Sequence, residues 1–281
     1  MVIQATDNSG DLRGVVAIGA SAGGVEALSR LAAGLSTDLP YAYLMALHMP
    51  PGAPSVLAQI VDRSGPLPAV TAQDGANLEP ARIYVARPDH HLLIADHRIA
   101  LAQGTTQYGH APAINVLFRS VALEFGPRAV GVLLSGVLDD GVLGLGAIRS
   151  QGGTTIGQSP DDALFPALPT SARDAGVLDQ QAAAADIGEA LRALSYRNCQ
   201  DPDIKDSKKK DSKKKDPNKV VMRSLQEKAK LARQLAESVD PGRVRRRYTG
   251  LAEETEVALA ALGERLASGG PRPDEAGDVD G

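Results

Sequence analysis

The chain has 281 residues, a formal net charge of −4 and one cysteine, Cys199. A single cysteine excludes an internal disulfide framework and argues against a thiolate metal site, and the small negative charge gives no general attraction to nucleic acid or anionic membranes. Hydrophobic residues make up 43% of the sequence but aromatic residues only 3%, without a tryptophan. The core must therefore be built from Ala, Val, Leu and Ile, which favours a sheet covered by helices.

No segment of the sequence carries a targeting or membrane signal. The N-terminus lacks an apolar stretch after a basic region, which argues against a signal peptide. No apolar run approaches the roughly 20 residues needed to span a bilayer. We therefore expect a cytoplasmic protein without membrane insertion.

The first part of the chain alternates strand and helix patterns. Residues 14–19 form a continuous apolar run closed by glycine, which predicts a buried strand. Residues 23–36 carry apolar side chains at helical spacing. A second buried strand is predicted over 41–47 and a second helix over 54–63.

The pattern changes between about residues 70 and 103. Three short strands separated by turn residues are predicted there, over 82–86, 91–95 and 98–101. The pair Asp96-His97 indicates a tight hairpin between the last two. We expect an antiparallel excursion inserted into the alternating pattern.

Alternation then resumes. Helices are predicted over 113–125, 141–151 and 186–196, and strands over 129–134 and 154–156. Strands that alternate with helices imply a parallel sheet covered on both faces. The predicted fold class is α/β, a doubly wound, mostly parallel sheet with an antiparallel hairpin excursion, plus a C-terminal helical hairpin. Active sites of such sheets lie at the carboxyl ends of the strands.

The composition changes sharply at about Asn198. The sequence DSKKK occurs at 206–210 and again at 211–215, and its interleaved Asp residues favour a solvated linker over a grip on an acidic partner or membrane surface. Two apolar stripes at helical spacing follow, separated by a breaker at 240–242. The predicted organisation is a flexible arm over 1–12, an α/β domain over 13–197, a linker over 198–218, a helical hairpin over 219–268 and a disordered tail over 269–281.

Ser21 lies in the segment Gly-Ala-Ser-Ala-Gly at 19–23, between a predicted strand and a predicted helix. This is the context of a nucleophile elbow, where a sharp turn needs small neighbours. The helix N-terminus behind Ser21 offers free N–H groups that can hold an oxyanion. A glycine-rich turn of this kind also suits a phosphate group, or serves as a tight turn alone.

Two more residues at predicted strand ends can complete a catalytic triad. His48 follows the strand over 41–47 and could take the Ser21 proton as general base. Asp140 follows the strand over 129–134 and could orient His48. The structural alternatives are a packed strand-end histidine, and a helix N-cap at Asp139 or Asp140.

Four further histidines lie in or near the excursion: His90, His91, His97 and His110. No cysteine or carboxylate spacing accompanies them that would match a metal site. We treat them as surface or hairpin residues, and we expect no metal and no cofactor.

The segments 18–24, 47–50 and 134–141 together resemble the catalytic domain of the chemotaxis methylesterase family CheB. Further matches are found at 83–92, 115–118 and 165–169, so the resemblance runs in order over roughly residues 13–195. The family usually has Thr where this chain has Ala22, and Met where it has Val137. Residues 110–115 replace a more basic segment, which indicates different substrate contacts.

The resemblance implies a protein-glutamate methylesterase that acts on γ-methyl-glutamyl esters of the cytoplasmic helices of chemoreceptors. Family members can also deamidate receptor glutamines. The triad carries over as Ser21, His48 and Asp140, and the oxyanion hole as the backbone N–H groups of Ala22 and Val137. Only about a dozen residues precede the first predicted strand, so we expect the family's phosphoacceptor receiver domain to be absent. The C-terminal hairpin is then a candidate site for a regulatory partner.

Two other functions are compatible with the residues. One is a non-catalytic adaptor that binds a receptor array. The presence of all three triad residue types argues against this function. The other is an esterase or acyl transferase for a small molecule. A broad exposed surface around Ser21 would favour the methylesterase, and a deep enclosed apolar pocket would favour the small-molecule enzyme.

Overall fold

A parallel sheet forms the centre of the molecule. The computed structural model describes residues 12–49, 52, 56–104, 111–200 and 217–267. Within that part of the chain, seven strands form the sheet in the order β3-β4-β2-β1-β7-β8-β9, and every neighbouring pair is parallel. These strands are β1 (Gly14–Ala20), β2 (Tyr41–Leu47), β3 (Ala69–Thr71), β4 (Arg82–Val85), β7 (Ala129–Leu133), β8 (Thr154–Gln158) and β9 (Gln180–Ala182). A separate antiparallel pair consists of β5 (His91–Ala95) and β6 (Arg98–Ala102).

Helices cover both faces of the sheet. They are α1 (Gly24–Gly34), α2 (Leu57–Ser64), α3 (Ile114–Phe125), α4 (Val142–Ser150), α5 (Ala167–Asp174), α6 (Ile187–Gln200), α7 (Pro217–Glu237) and α8 (Arg243–Ala267). The first face packs against α1, α2 and α6, and the second against α3, α4, α5 and the β5–β6 hairpin. The predicted doubly wound α/β class is confirmed.

Strand β1 shows why the central strands are continuous apolar runs. Val16 and Ile18 point into the core under α1, whereas Val15 and Ala17 point into the core under α3. Because both faces are buried, no position of β1 can be polar at low cost. The same holds for β2 and β7, which flank β1.

The extent of the antiparallel excursion is a correction to the sequence analysis. The strand predicted over 82–86 belongs to the main sheet, where β4 pairs in parallel with β2. Ile83 and Tyr84 pack into the cores on opposite faces, so β4 is a buried sheet strand. Only β5 and β6 form the hairpin, and Asp96 and His97 at its turn both have positive φ, 55° and 57°, as a two-residue hairpin turn of type I′ requires.

Three short elements have no counterpart in the sequence analysis: β3, α5 and β9. The two strands have three residues each and lie at the edges of the sheet. Such short segments carry too few residues to display a period of their own. The strands β3 and β9 are defined instead by their pairing with β4 and β8 at the edges of the sheet.

The C-terminal helices α7 and α8 form the predicted hairpin, and it packs on the outer face of β5–β6. Leu93 and Ala100 on that face share a buried cluster with Leu235 and Tyr248 of the helices. The Tyr248 hydroxyl donates a hydrogen bond to the carbonyl oxygen of Ile94. The hairpin is therefore joined to the α/β domain by an apolar core.

Most of the predicted arm, linker and tail lies outside the described residues. Helix α6 continues to Gln200, beyond the predicted start of the linker at 198, and α7 begins at Pro217. None of the described helices combines the length and the apolar character that crossing a bilayer requires.

The apolar core under the C-terminal hairpin can be tested by truncating one side chain. Leu235 is fully buried, so Leu235→Ala should lower the free energy of unfolding by about 2–5 kcal/mol, measured by urea denaturation. Val257→Ala on α8 is the control, because Val257 is 69% exposed and its truncation should change stability by less than about 0.5 kcal/mol. Equal effects from both variants would contradict the packing described.

Candidate active site

Ser21 lies on a tight turn between β1 and α1. Its backbone N–H donates to the Ser135 carbonyl oxygen over 2.9 Å, and its own carbonyl oxygen accepts from Gly24 N–H over 2.8 Å. Gly23 has a φ of 70°, and a Cβ there would lie 2.8 Å from Ser135 Oγ. The turn therefore requires glycine at that position both for conformation and for space.

The structure brings His48 and Asp140 to Ser21. Ser21 Oγ lies 3.2 Å from His48 Nδ1, and His48 Nε2 lies 2.8 Å from Asp140 Oδ2. The three residues follow β1, β2 and β7, which are adjacent at the centre of the sheet. Their carboxyl ends meet at one edge because the strands are parallel. From β1 the sheet grows first on the β2 side and then on the β7 side, and ligand sites of open α/β sheets lie at such a change in strand order.

The hydrogen-bond partners determine which nitrogen of His48 carries the proton. An ionised carboxylate only accepts, so Nε2–H donates to Asp140. The neutral ring then presents the lone pair of Nδ1 to Ser21, whose hydroxyl donates. The side chains of His48 and Asp140 are 8% and 6% exposed, so this hydrogen-bonded pair is almost completely shielded from water.

Asp140 caps a helix, but not the helix that follows it in sequence. Its Oδ2 accepts from Ile114 N–H over 2.8 Å, and its Oδ1 accepts from Asn115 N–H over 3.0 Å. Both N–H groups belong to the first turn of α3. The N-cap residue of α4 is Gly141, with no side-chain cap bond. The capping alternative is therefore wrong for α4, and Asp140 links His48 to the N-terminus of α3.

These contacts keep the Asp140 carboxylate charged. Burial would raise the pKa of Asp140, but the hydrogen bonds from His48, Ile114 and Asn115 outweigh burial and hold its pKa below the ordinary value. A carboxylate that stays ionised at neutral pH can orient the imidazole and stabilise it when it becomes protonated.

Ser135 is a structural residue of the site that the sequence analysis did not single out. Its hydroxyl donates to the Ala22 carbonyl oxygen over 2.8 Å and accepts from Phe165 N–H over 3.0 Å. Its backbone N–H donates to Gln158 Oε1 over 2.9 Å. Ser135 is fully buried, and it ties the Ser21 turn to the loop before α5. A small hydroxyl residue just after a buried strand is the only sequence signal for this role.

The backbone N–H groups of Ala22 and Val137 belong to two turns that flank Ser21. Ala22 follows Ser21 directly. Val137 follows Gly136, where a Cβ would lie only 2.9 Å from the Ser21 Cβ. Within the described residues neither N–H donates to a backbone carbonyl, so both are candidates for binding an oxyanion beside Ser21.

The surface around Ser21 is exposed and apolar. Leu164 and Phe165, next to Gly23, are 65% and 39% exposed, and Val137 and Leu138 are 51% and 37% exposed. A cavity of about 140 Å³ beside Gly23 does not include Ser21 in its lining. Among the described residues, no group of three or more His, Cys, Asp or Glu side chains could hold a metal ion.

The other histidines differ in their surroundings. His97 lies in the β5–β6 turn, and His90 Nδ1 lies 3.1 Å from the Pro88 carbonyl oxygen. His91 is the first residue of β5 in the hairpin, and it is fully buried. The expectation of a surface or hairpin position is met for His91 by the hairpin, and its complete burial is an additional finding. His110 lies outside the described residues.

The sequence and fold of the chain resemble those of known proteins. The family model described as CheB methylesterase matches residues 16–191. The chain therefore belongs to the CheB methylesterase family. The structure of the Thermotoga maritima CheB methylesterase catalytic domain superposes with a TM-score of 0.61 at 27% identity, covering 64% of this chain and 98% of that one.

Curated relatives of similar sequence are larger proteins. A protein-glutamate methylesterase/protein-glutamine glutaminase of Myxococcus xanthus is 35% identical over 174 residues, 60% of this chain and 50% of the relative. One from Anaeromyxobacter dehalogenans is 38% identical over 179 residues, 63% of this chain and 52% of the relative. The chain thus spans about half the length of these relatives.

The pKa of Asp140 predicts a pH-dependent stability difference. Because the pKa is lower in the folded protein, the carboxylate contributes stability above its ordinary pKa of about 3.9 and loses it as pH falls through the folded value. Asp140→Asn should therefore cost about 1.5–3 kcal/mol at pH 7 and progressively less below about pH 4, measured by urea unfolding. Asp161→Asn removes an exposed carboxylate as control. A pH-independent difference for Asp140→Asn would contradict the assignment.

Proposed function

We propose that this protein is a protein-glutamate methylesterase in which Ser21 is the nucleophile, His48 the general base and Asp140 the orienting carboxylate. One observation carries the proposal: Ser21, His48 and Asp140 form a continuous hydrogen-bonded chain at the carboxyl ends of three adjacent strands. Membership of the CheB methylesterase family supports the reaction class.

The reaction begins when Ser21 Oγ attacks the carbonyl carbon of a γ-methyl-glutamyl ester and His48 Nδ1 takes the hydroxyl proton. Asp140 stabilises the imidazolium through Nε2–H. The carbonyl oxygen of the ester becomes negatively charged in the intermediate, and the N–H groups of Ala22 and Val137 bind it. Collapse of the intermediate breaks the bond to the methoxy oxygen, which leaves as methanol with the proton from His48.

Hydrolysis of the acyl-enzyme follows the same route in reverse. His48 takes a proton from water, the hydroxide oxygen attacks the acyl carbon, and the bond to Ser21 Oγ breaks with return of the proton. The products are a glutamate side chain and free Ser21. The same steps on a glutamine side chain release ammonia in place of methanol, which is the second activity that the names of the relatives state.

The surface around Ser21 supports a macromolecular substrate. Leu164 and Phe165 lie beside Gly23, and Val137 and Leu138 follow Gly136, and all four expose apolar area of the kind that a broad protein surface can cover. We therefore propose the cytoplasmic helices of methyl-accepting chemoreceptors as substrate, and accordingly a cytoplasmic location. An adaptor function would not require the aligned Ser21–His48 pair.

Substitution of Ser21 tests the catalytic proposal. Ser21→Ala should lower methanol release from methylated chemoreceptor fragments by about 10⁴-fold or more, because no other group supplies the acyl intermediate. The variant should also fail to react with a fluorophosphonate probe, which needs no natural substrate. Ser29→Ala, further along α1, is the control and should keep both properties. Equal methanol release from wild type and Ser21→Ala would refute the proposal.

Removal of a single backbone donor tests the oxyanion site. Val137→Pro deletes the N–H, and kcat should fall by about 10²–10³-fold, with a small change in KM, because the donor acts on the charged intermediate. Val137→Ala keeps the N–H and removes exposed side chain, so its kcat should stay within about threefold of wild type. If the two variants lose kcat equally while both remain folded, Val137 N–H does not bind the oxyanion.

A further inference from the structure

His91 is a buried histidine with both ring nitrogens in hydrogen bonds. Its Nδ1 accepts from Ala113 N–H over 3.1 Å, and its Nε2 lies 3.1 Å from the Gly104 carbonyl oxygen. Because N–H groups donate and carbonyls accept, these partners require the neutral tautomer that carries its proton on Nε2. The side chain has no exposed surface, and the proposed reaction assigns it no role.

The Ala113 N–H belongs to the start of α3, which is also where Asp140 is held. The first N–H groups of a helix have no partner within the helix. Here three consecutive ones are satisfied by side chains: Ala113 by His91, and Ile114 and Asn115 by Asp140. The N-terminus of α3 therefore lies between an imidazole on one side and the carboxylate on the other.

We propose that His91 is a positioning residue for the proposed triad, because it holds the N-terminus of α3 in the place where Ile114 and Asn115 orient the Asp140 carboxylate toward His48. The inference rests on the proposed function of Asp140 for its catalytic consequence. Its structural part, the placement of the first turn of α3, depends only on the hydrogen bonds to Ala113, Ile114 and Asn115.

The electrostatic surroundings of His91 agree with this role. Burial lowers the pKa of His91. The hydrogen bond to the Gly104 carbonyl and the carboxylates of Asp140 and Asp240 act in the opposite direction without reversing it, and His90 adds a smaller lowering. The ring thus stays neutral at pH 7, as acceptance from Ala113 N–H demands. A protonated ring would place two N–H donors against each other at Nδ1.

Two conservative variants separate this role from a general contribution to stability. Asparagine can place its amide oxygen near the position of Nδ1, so His91→Asn keeps an acceptor for Ala113 N–H. Glutamine can place its amide nitrogen near the position of Nε2, so His91→Gln keeps the donor to Gly104 but loses that acceptor. Each variant sacrifices one buried hydrogen bond, and their free energies of unfolding should therefore be similar.

The experiment measures kcat and KM for methanol release, together with amide hydrogen exchange of Ile114 and Asn115, in the full chain. His91→Gln should lower kcat by about 10–100-fold with KM within about twofold, and should reduce the protection of both amides. His91→Asn should keep kcat within about threefold and keep the protection.

Each other outcome overturns the inference. Unchanged protection in His91→Gln shows that His91 does not place α3. Lost protection of Ile114 and Asn115 in His91→Gln with unchanged kcat shows that the N-terminus of α3 does not orient Asp140 for catalysis. The same conclusion follows if His91→Gln and His91→Asn lose kcat equally although only His91→Gln loses amide protection. If the wild type neither releases methanol nor reacts with a fluorophosphonate at Ser21, the proposed function fails, and the exchange comparison still decides whether His91 positions α3.

Discussion

The site depends on one buried carboxylate. Asp140 accepts hydrogen bonds from His48, Ile114 and Asn115 at 2.8–3.0 Å. Desolvation of a carboxylate is costly unless it is fully hydrogen-bonded, and these three donors offset that cost. The same bonds fix the direction of the His48 ring, because Nε2 must face Asp140 and Nδ1 must then face Ser21.

The sheet supplies the frame in which this arrangement is possible. The loops after β1, β2 and β7 are brought together because these strands are parallel neighbours with both faces buried. Small residues let the loops approach closely. At Gly23 and Gly136 an added Cβ would collide with Ser135 and Ser21 respectively, so the closeness of the turns depends on glycine there.

The C-terminal hairpin meets the same region from another direction. Asp240 N–H, in the turn between α7 and α8, donates to the Gln103 carbonyl oxygen over 2.7 Å. Gly104, the next residue, accepts from His91 and packs against the backbone of Ser238. A continuous path of contacts therefore joins the hairpin turn to the start of α3 and to Asp140.

Local sequence patterns determined much of the architecture. The apolar runs of β1 and β2, the helical stripes of α7 and α8, and the turn at Asp96 and His97 are properties of a few neighbouring residues, which is why they could be predicted. The three residues of the proposed triad were also predicted, since each follows a predicted strand, and the structure brings them together. Their catalytic roles stay predictions.

Only the tertiary structure decided which strands and side chains meet. The sequence left open an N-cap role in the following helix for Asp139 or Asp140, whereas Asp140 caps α3, whose first turn contains Asn115, 25 residues away in sequence. The segment of β4 was predicted as part of an antiparallel excursion, yet it pairs in parallel with β2. Nothing in the sequence placed His91 beside the start of α3, where its Nδ1 accepts from Ala113 N–H. In each case the deciding contact joins residues far apart in the chain, and local periodicity or a short motif cannot predict such a contact.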